Sequence, residues 1–312
     1  MSGMHRRRNR VGMIRGTAAL GAAAFLIILS CRGGEPSRSG DIPLVMVSIP
    51  PQEYFVERIA GGRVEVDAAL PPGASPATYE PGPAEMRQVA EADLYLSIGV
   101  PFESAWLPRL ESANPDLPVV ATHRGVDRRP IDRYGTRAEG EEHGHGHGHD
   151  HGSPDPHIWL SPELVRVQAD TIAAALTRLD PAGDSAYAAN LVSFGGEIDS
   201  LQAGIRAVLE ETRGDTFVVF HPSWGYFADE FDLYQLPIEV QGQEPAPSEL
   251  ARLMEVAERL SDPVVLVAPQ FSRRSAETLA GEIGARLEEA DPLARDWASN
   301  LRAVALRIAG SR

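Results

Sequence analysis

Histidines are the residues of this chain whose type and spacing point most directly to chemistry. Five of the nine stand at alternate positions in one short segment. They are His143, His145, His147, His149 and His151. Neutral imidazoles bind zinc, copper and nickel well, and the intervening glycines favour a solvated loop over a helix. We interpret residues 141–153 as a loop that captures metal ions, and a soluble linker without metal function is the alternative.

Two further histidines lie where a folded α/β chain places ligands. His157 stands in the segment Asp155-Pro156-His157-Ile158-Trp159-Leu160. His221 directly follows the apolar run 217–220, which is typical of a strand covered on both faces. Because the carboxyl ends of parallel strands line the binding crevice, His221 is a candidate ligand. His123 also lies near a strand end, but its neighbours offer no supporting group, and we interpret it as structural.

Composition excludes several classes of protein. The 312 residues carry a formal net charge of −15, and all 29 basic residues are Arg. This balance argues against a nucleic-acid partner, because phosphate binding needs a basic face. A single Cys rules out a disulfide framework and any multi-cysteine zinc or iron–sulfur site. The length and the 43% hydrophobic content suit one large domain or two lobes.

Residues 1–30 are typical of an export signal. An Arg-rich head precedes an apolar run over 17–29, which is shorter than the roughly 20 residues of a membrane span. The run ends at Leu29-Ser30-Cys31, which resembles a bacterial lipobox. We expect cleavage before Cys31, lipidation of that residue and a tether over 31–41. The protein would then be a bacterial lipoprotein anchored to the membrane, in the periplasm or at the cell surface, with a plain signal peptide or an uncleaved anchor as the alternative.

After the tether, short β-branched runs alternate with helical patterns, which predicts parallel βαβ units. The predicted strands are 44–47, 64–70, 94–98, 119–121, 217–220, 238–240 and 264–267. The predicted helices are 54–60, 83–92, 248–260 and 275–287. The fold class is therefore α/β, with mainly parallel sheets flanked by helices.

A longer helical pattern separates the two groups of strands. Its apolar residues recur at spacings of three and four, which forms one stripe on a helix over 184–212. The stripe consists of Tyr187, Leu191, Phe194, Ile198, Leu201, Ile205 and Val208. We predict an N-terminal lobe over 42–183, this helix as a rigid connector, and a C-terminal lobe over 213–312.

Several motifs, in order, resemble the periplasmic zinc- and manganese-binding subunits of ABC importers, the cluster A-I solute-binding family. They are Leu70-Pro71-Pro72-Gly73, Tyr79-Glu80-Pro81, Ala90-Glu91-Ala92-Asp93-Leu94, the His-rich loop, 155–160, Phe220-His221-Pro222-Ser223-Trp224-Gly225-Tyr226, Pro269-Gln270-Phe271 and Asp291-Pro292-Leu293. The resemblance runs through essentially the whole chain after the tether. It implies two α/β lobes joined by one long helix, a metal ion in the cleft between them, and an importer permease as partner. We expect a monomer.

By position, the resemblance implies metal ligands at His157, His221 and Asp291. The family's first ligand, in Pro-His-x-Tyr-Glu-Pro, has no counterpart because Ala77 stands at that position. Water or a loop histidine would complete a zinc site, whereas Glu80 is a further candidate ligand that would favour manganese. Two other departures are Ala268, where the family often has Glu, and 286–290, where the family has an apolar strand.

We therefore predict a solute-binding protein, not an enzyme, that captures zinc and delivers it to an ABC importer. A manganese-binding member of the same family is one alternative. A zinc-dependent hydrolase is another, since two imidazoles, a carboxylate and a water also describe a catalytic zinc site. The sequence contains no His-Glu-x-x-His or Gly-x-Ser-x-Gly motif. A third alternative is a degenerate member that binds metal only through the loop.

Overall fold

Two sheets, each of four parallel strands, form the framework of the protein. The computed structural model describes residues 42–131, 154–239, 247–260 and 262–310. The predicted leader, the tether with Cys31, and the His-rich loop lie outside the described residues. Among the helices of the described part, none combines the length and the apolar character that crossing a membrane requires.

The first sheet has the strand order β2-β1-β3-β4 and is the basis of the N-terminal lobe. Its strands are β1 (Leu44–Val47), β2 (Glu65–Ala68), β3 (Leu94–Ser97) and β4 (Val119–Ala121). The helices between them are α1 (Pro50–Ala60), α2 (Pro83–Ala90) and α3 (Pro101–Ala113). Each helix begins with a proline, whose fixed φ suits the first turn and whose missing N–H is not needed there.

Two long helices follow the first sheet. They are α4 (Pro162–Leu179) and α5 (Asp184–Val208), and a short 3-10 helix at Pro181–Gly183 joins them. Five residues of the predicted stripe are buried, whereas Leu191 and Val208 are partly buried. The predicted long helix is confirmed, except that its last turn, Glu210–Thr212, is a separate 3-10 helix.

The second sheet has the strand order β6-β5-β7-β8 and is the basis of the C-terminal lobe. Its strands are β5 (Thr216–Val219), β6 (Tyr234–Pro237), β7 (Val264–Val267) and β8 (Arg286–Glu289). The helices of this half are α6 (Gly225–Glu230), α7 (Pro247–Ala257), α8 (Arg273–Glu282) and α9 (Trp297–Ala309). The fold class predicted from the sequence is confirmed.

Two predicted elements of the second half are wrong. The strand predicted at 238–240 is replaced by β6, which ends at Pro237 and pairs in parallel with β5. The helix predicted at 275–287 ends at Glu282, and 286–289 pairs with β7 as β8. Because β8 is an edge strand, its charged residues keep the open edge from pairing with other chains. The strand that leads to Asp291 is therefore present although it is not apolar.

Alternate residues of β5 and of the position directly after it belong to two different cores. Phe217 and Val219 face a large core that also contains residues of the first sheet, α4, α5 and α9. Val218 and Phe220 face a smaller core together with residues of α7 and α8. A strand covered on both faces explains the continuous apolar run in the sequence. Because the large core includes residues of both sheets, it ties the two lobes together.

Glu103 closes the turn between β3 and α3. Its side chain is buried, and its two carboxylate oxygens accept hydrogen bonds from the Ile98 and Gly99 amides at 2.9 and 2.8 Å. Gly99 has a φ of 90°, which a residue with a Cβ adopts only with strain. Burial raises the pKa of Glu103 above its ordinary value of 4.5, although these amides and Ser48 act in the opposite direction.

We expect Glu103→Gln to lower the free energy of unfolding by about 1–3 kcal/mol, because one backbone N–H then faces an amide NH₂ and loses its acceptor. The raised pKa means that the folded chain holds this proton more tightly than the unfolded chain. Wild-type stability from this group therefore falls as the pH rises above the ordinary value. The advantage of wild type over the variant should be larger near pH ~5 than near pH ~8 in urea unfolding.

Glu111→Gln, an exposed position on the same helix, is the matched control and should change stability by less than about 0.5 kcal/mol. A wild-type advantage that grows with pH would contradict the assignment of a raised pKa to Glu103.

Candidate metal centre

The carboxyl ends of the second sheet carry four polar residues, and two of them, His221 and Asp291, are predicted ligands. His221 stands two residues after β5, Glu239 two after β6, Gln270 three after β7 and Asp291 two after β8. Because all four strands are parallel, their carboxyl ends lie along one edge of the sheet. The topology therefore brings residues that are distant in the chain to the same side of the lobe.

The His221 imidazole is fixed by two neighbours. Its Nδ1 lies 3.1 and 3.2 Å from the carboxylate oxygens of Glu239, and Glu239 is buried. The Phe271 ring stacks on the imidazole, with 5.4 Å between ring centroids. A carboxylate acceptor places the imidazole proton on Nδ1, so the lone pair of Nε2 is left for a metal ion.

The His157 imidazole is also fixed by a buried carboxylate, that of Asp155. It immediately precedes a buried 3-10 helix, Ile158–Leu160, which leads into α4. Its Nδ1 lies 2.7 Å from Asp155 Oδ1, and the same oxygen accepts a hydrogen bond from the His157 amide at 3.0 Å. Asp155 is fully buried. The Nε2 atom of His157 is thus also the nitrogen that carries the available lone pair.

The imidazole rings of His157 and His221 are in contact. Their centroids are 5.3 Å apart, and the ring planes are inclined at 70°. Imidazoles whose Nδ1–H donates to a carboxylate are the usual nitrogen ligands of zinc, because the carboxylate fixes the ring and raises its basicity. The structure therefore brings together two of the three side chains that the sequence assigned to the cleft.

Asp291 does not join this pair in the structure. Its Oδ1 accepts hydrogen bonds from Gln270 Nε2 and from the Leu293 amide, both at 2.9 Å. In the part of the chain that the structure describes, no group of three or more His, Cys, Asp and Glu side chains is arranged to hold a metal ion. The two imidazoles and the Asp291 carboxylate therefore form no complete coordination set in this conformation.

The other predicted positions lie in the connections that follow β2 and β7 or outside the described residues. Ala77 and Glu80 are exposed in the connection between β2 and α2. Tyr79 anchors this connection, since its ring packs edge-on against Phe102 with 5.4 Å between centroids. Ala268 is buried at the end of β7 and offers no carboxylate. The five loop histidines lie outside the described residues.

His123 has surroundings that differ from those of the pair. Its Nδ1 is buried and has no hydrogen-bond partner among the described residues. Burial lowers the pKa of His123, and the charges of Arg128 and Arg124 lower it further. Positive charges nearby repel a metal ion as they repel a proton, so this environment disfavours a second cation site.

Asp155 and Glu239 are the site residues that sequence reasoning missed. Asp155 stands two residues before His157 in a segment stiffened by proline, which is a detectable signal. Glu239 is hidden inside the strand predicted at 238–240. Pro237 marks the strand only as an edge strand, since proline cannot donate to a sheet ladder, and the sequence carries no signal for a strand end at that residue. A strand that ends there puts Glu239 beside His221.

The comparisons with known proteins agree with one another. The family model described as "ZnuA: Zinc-uptake complex component A periplasmic" matches residues 45–310. The high-affinity zinc uptake system protein ZnuA of Bacillus subtilis is 30% identical over 275 residues, which are 86% of this chain and 85% of that protein. The manganese-binding lipoprotein MntA of Halalkalibacterium halodurans is 27% identical over 235 residues, 73% of this chain and 72% of that protein.

A solved structure agrees as well. A crystal structure of ZnuA superposes with a TM-score of 0.77 at 42% sequence identity, and the match covers 86% of this chain and 98% of that chain. The resemblance inferred from the motifs is thereby confirmed, and the hydrolase alternative is not supported. With a family match that spans both lobes and the helix between them, the chain belongs to the ZnuA family, the periplasmic components of zinc-uptake complexes.

Proposed function

We propose that the protein captures zinc between its two lobes outside the cytoplasmic membrane and delivers it to the permease of an ABC importer. The observation that carries the proposal is the contact between two imidazoles, each backed by a buried carboxylate. Zinc is the cargo in this scheme, so the site needs to bind and release an ion and has no reaction to catalyse. A relative named for zinc uptake and the matching family model support the same assignment.

His157 and His221 are the proposed nitrogen ligands, and Asp291 is the proposed third ligand. β8 lies two strands from β5, which corresponds to about 10 Å at a strand spacing of about 4.8 Å. A bound cation would attract the Asp291 carboxylate away from Gln270 and toward the imidazoles. Water or a loop histidine then fills the position that Ala77 leaves without a donor.

Zinc suits this ligand set better than manganese. Two imidazole nitrogens and a single carboxylate are typical of zinc, whereas manganese prefers sites richer in oxygen. Glu80 would add a second carboxylate and shift the preference toward manganese, but it is exposed in the connection between β2 and α2. A relative named for manganese binding keeps manganese as the alternative cargo.

The remaining parts of the proposal concern the segments outside the described residues. Cys31 is the proposed lipid-attachment site, which would keep the protein at the membrane surface. The protein is proposed to act as a monomer. The histidines of 143–151 are proposed to collect zinc weakly and raise its concentration near the cleft, since neutral imidazoles bind this ion.

We expect His157→Ala and His221→Ala each to weaken the tightest zinc site by about 100-fold or more. A structural zinc ion binds with about 10–16 kcal/mol over four ligands, so one ligand accounts for about 3 kcal/mol. Competition with a chromophoric chelator measures the change. His123→Ala is the matched control and should bind zinc as wild type does. Equal affinity in all four proteins would contradict the cleft site.

Ala77→His should restore the donor that the family has at this position. We expect zinc to bind about 10- to 100-fold more tightly, because an added imidazole replaces water while the connection between β2 and α2 loses little freedom. Thr78→His is the matched control, since the neighbouring residue is exposed in the same connection. Tightening by both variants, or by neither, would show that residue 77 does not face the open coordination position.

Deleting 141–153 should remove the weak zinc ions and preserve about one tightly bound ion per chain. A variant that keeps the loop length but replaces its five histidines with Asn separates the imidazoles from the loop itself. Metal analysis after dialysis, combined with calorimetric titration, distinguishes the two classes of site. Loss of all binding in either variant would favour the degenerate alternative, in which only the loop binds metal.

A further inference from the structure

Arg129 reaches from the N-terminal lobe to the C-terminal lobe beside the imidazole pair. It follows β4 in the chain, and its guanidinium forms an ion pair with Asp229 of α6. The guanidinium carbon lies 5.1 Å from the centroid of the Tyr226 ring, also on α6. The guanidinium charge of Arg129 therefore pairs with Asp229, and its flat face packs on the Tyr226 ring of the same short helix.

Arg129 also faces the carboxylate that supports His157. Its Nε lies 3.8 Å from Asp155 Oδ2, and the Asp155 side chain has no exposed surface. The other carboxylate oxygen, Oδ1, holds Nδ1 of His157 at 2.7 Å. A buried carboxylate is stable only when it is paired with positive charge or hydrogen-bond donors. Arg129 supplies the positive charge on the side of Asp155 that faces away from His157.

Backbone groups reinforce this bridge. The Asp155 amide donates to the Arg129 carbonyl at 2.8 Å, and the Arg129 amide donates to the Tyr226 hydroxyl oxygen at 3.2 Å. The Tyr226 hydroxyl donates in turn to the Asp155 carbonyl at 3.1 Å. The three residues therefore form a closed cycle of hydrogen bonds that joins the lobes directly behind the site.

Gly225 lets the guanidinium approach α6. A Cβ atom at this position would collide with Nη2 of Arg129, so any larger residue displaces the arginine. Gly225 begins α6 and stands four residues after His221 in the chain. The arginine thus touches the helix that follows one imidazole and the carboxylate that supports the other.

We propose that Arg129 is a positioning residue, which holds His157 and His221 at the separation that a shared metal ion requires. The inference rests on the proposed zinc function, but it concerns a residue that does not itself touch the metal. With the bridge intact, the two imidazoles stay in register and the ion leaves slowly. Without it, the lobes separate more readily, and Asp155 loses a charge that fixes its orientation.

The test compares Arg129→Gln and Arg129→Lys with wild type in the full chain. We expect Arg129→Gln to weaken zinc binding about 10- to 100-fold, as the loss of groups behind metal ligands commonly does, mainly through faster dissociation. Lysine should restore only part of the affinity, because one ammonium cannot reproduce the planar contacts to both acids and the ring. The visible absorption of the cobalt(II)-loaded protein should also shift, which a remote loss of stability would not cause.

Arg63→Gln is the matched control. Arg63 makes two hydrogen bonds to Asp180 and precedes β2, at the amino edge of the first sheet. Its loss should leave zinc dissociation and the cobalt spectrum unchanged. Asp229→Asn and Gly225→Ala disturb the same bridge from α6, so both should speed zinc dissociation even if Arg129→Gln folds poorly. Thermal unfolding of the zinc-free proteins identifies any variant that folds poorly.

The outcomes separate the inference from the proposed function. If Arg129→Gln, Asp229→Asn and Gly225→Ala keep the wild-type dissociation rate and cobalt spectrum while His157→Ala loses the ion, Arg129 has no positioning role and the zinc site stands. If His157→Ala keeps the tight ion, the proposed function itself fails.

Discussion

A buried carboxylate at Nδ1 of each imidazole is the interaction on which the site depends. Asp155 orients His157 and Glu239 orients His221, so both Nε2 atoms are prepared for a cation before one arrives. Burying these carboxylates has a free-energy cost that hydrogen bonds and nearby positive charge must offset. For Asp155, the His157 amide and Arg129 provide this compensation. The carboxylate that supports one proposed ligand is therefore itself held by neighbouring residues.

The two parallel sheets and their shared core make such support feasible. Parallel strands bring residues from separate crossovers to one edge, and α5 and α9 pack against each other and contribute to the core that both sheets share. The loop after Asp291 is tied to the first lobe as well. Its Arg295 forms ion pairs with Glu53 and Glu57 of α1, at 3.1 and 2.5 Å. Contacts between the lobes thus exist near His157 and near the proposed third ligand, which restricts how far the lobes can separate.

Much of the fold was predictable, because β1, β4 and β7 are apolar or β-branched runs with the bounds that the sequence indicated. β8 was not, since Arg, Leu and Glu are strong helix formers and only pairing with β7 makes this segment a strand. At the site, His221 was predictable from the buried strand before it. The contact of His221 with His157 depended on the family resemblance, because no local pattern encodes the packing of two lobes. Glu239 was missed because the predicted strand ended at residue 240, three residues beyond the end of β6.

The proposed ligands divide into a rigid part and a part that must rearrange. The two imidazoles are already oriented, so binding an ion costs little ordering of their side chains. Asp291, in contrast, is held by Gln270 and the Leu293 amide, and these hydrogen bonds must weaken before its carboxylate can turn to a cation. Their loss subtracts from the affinity that a complete ligand set would give. A protein that delivers its cargo has to release it, and the proposed site would combine two fixed nitrogens with a carboxylate for which Gln270 and the Leu293 amide compete, which keeps release within reach.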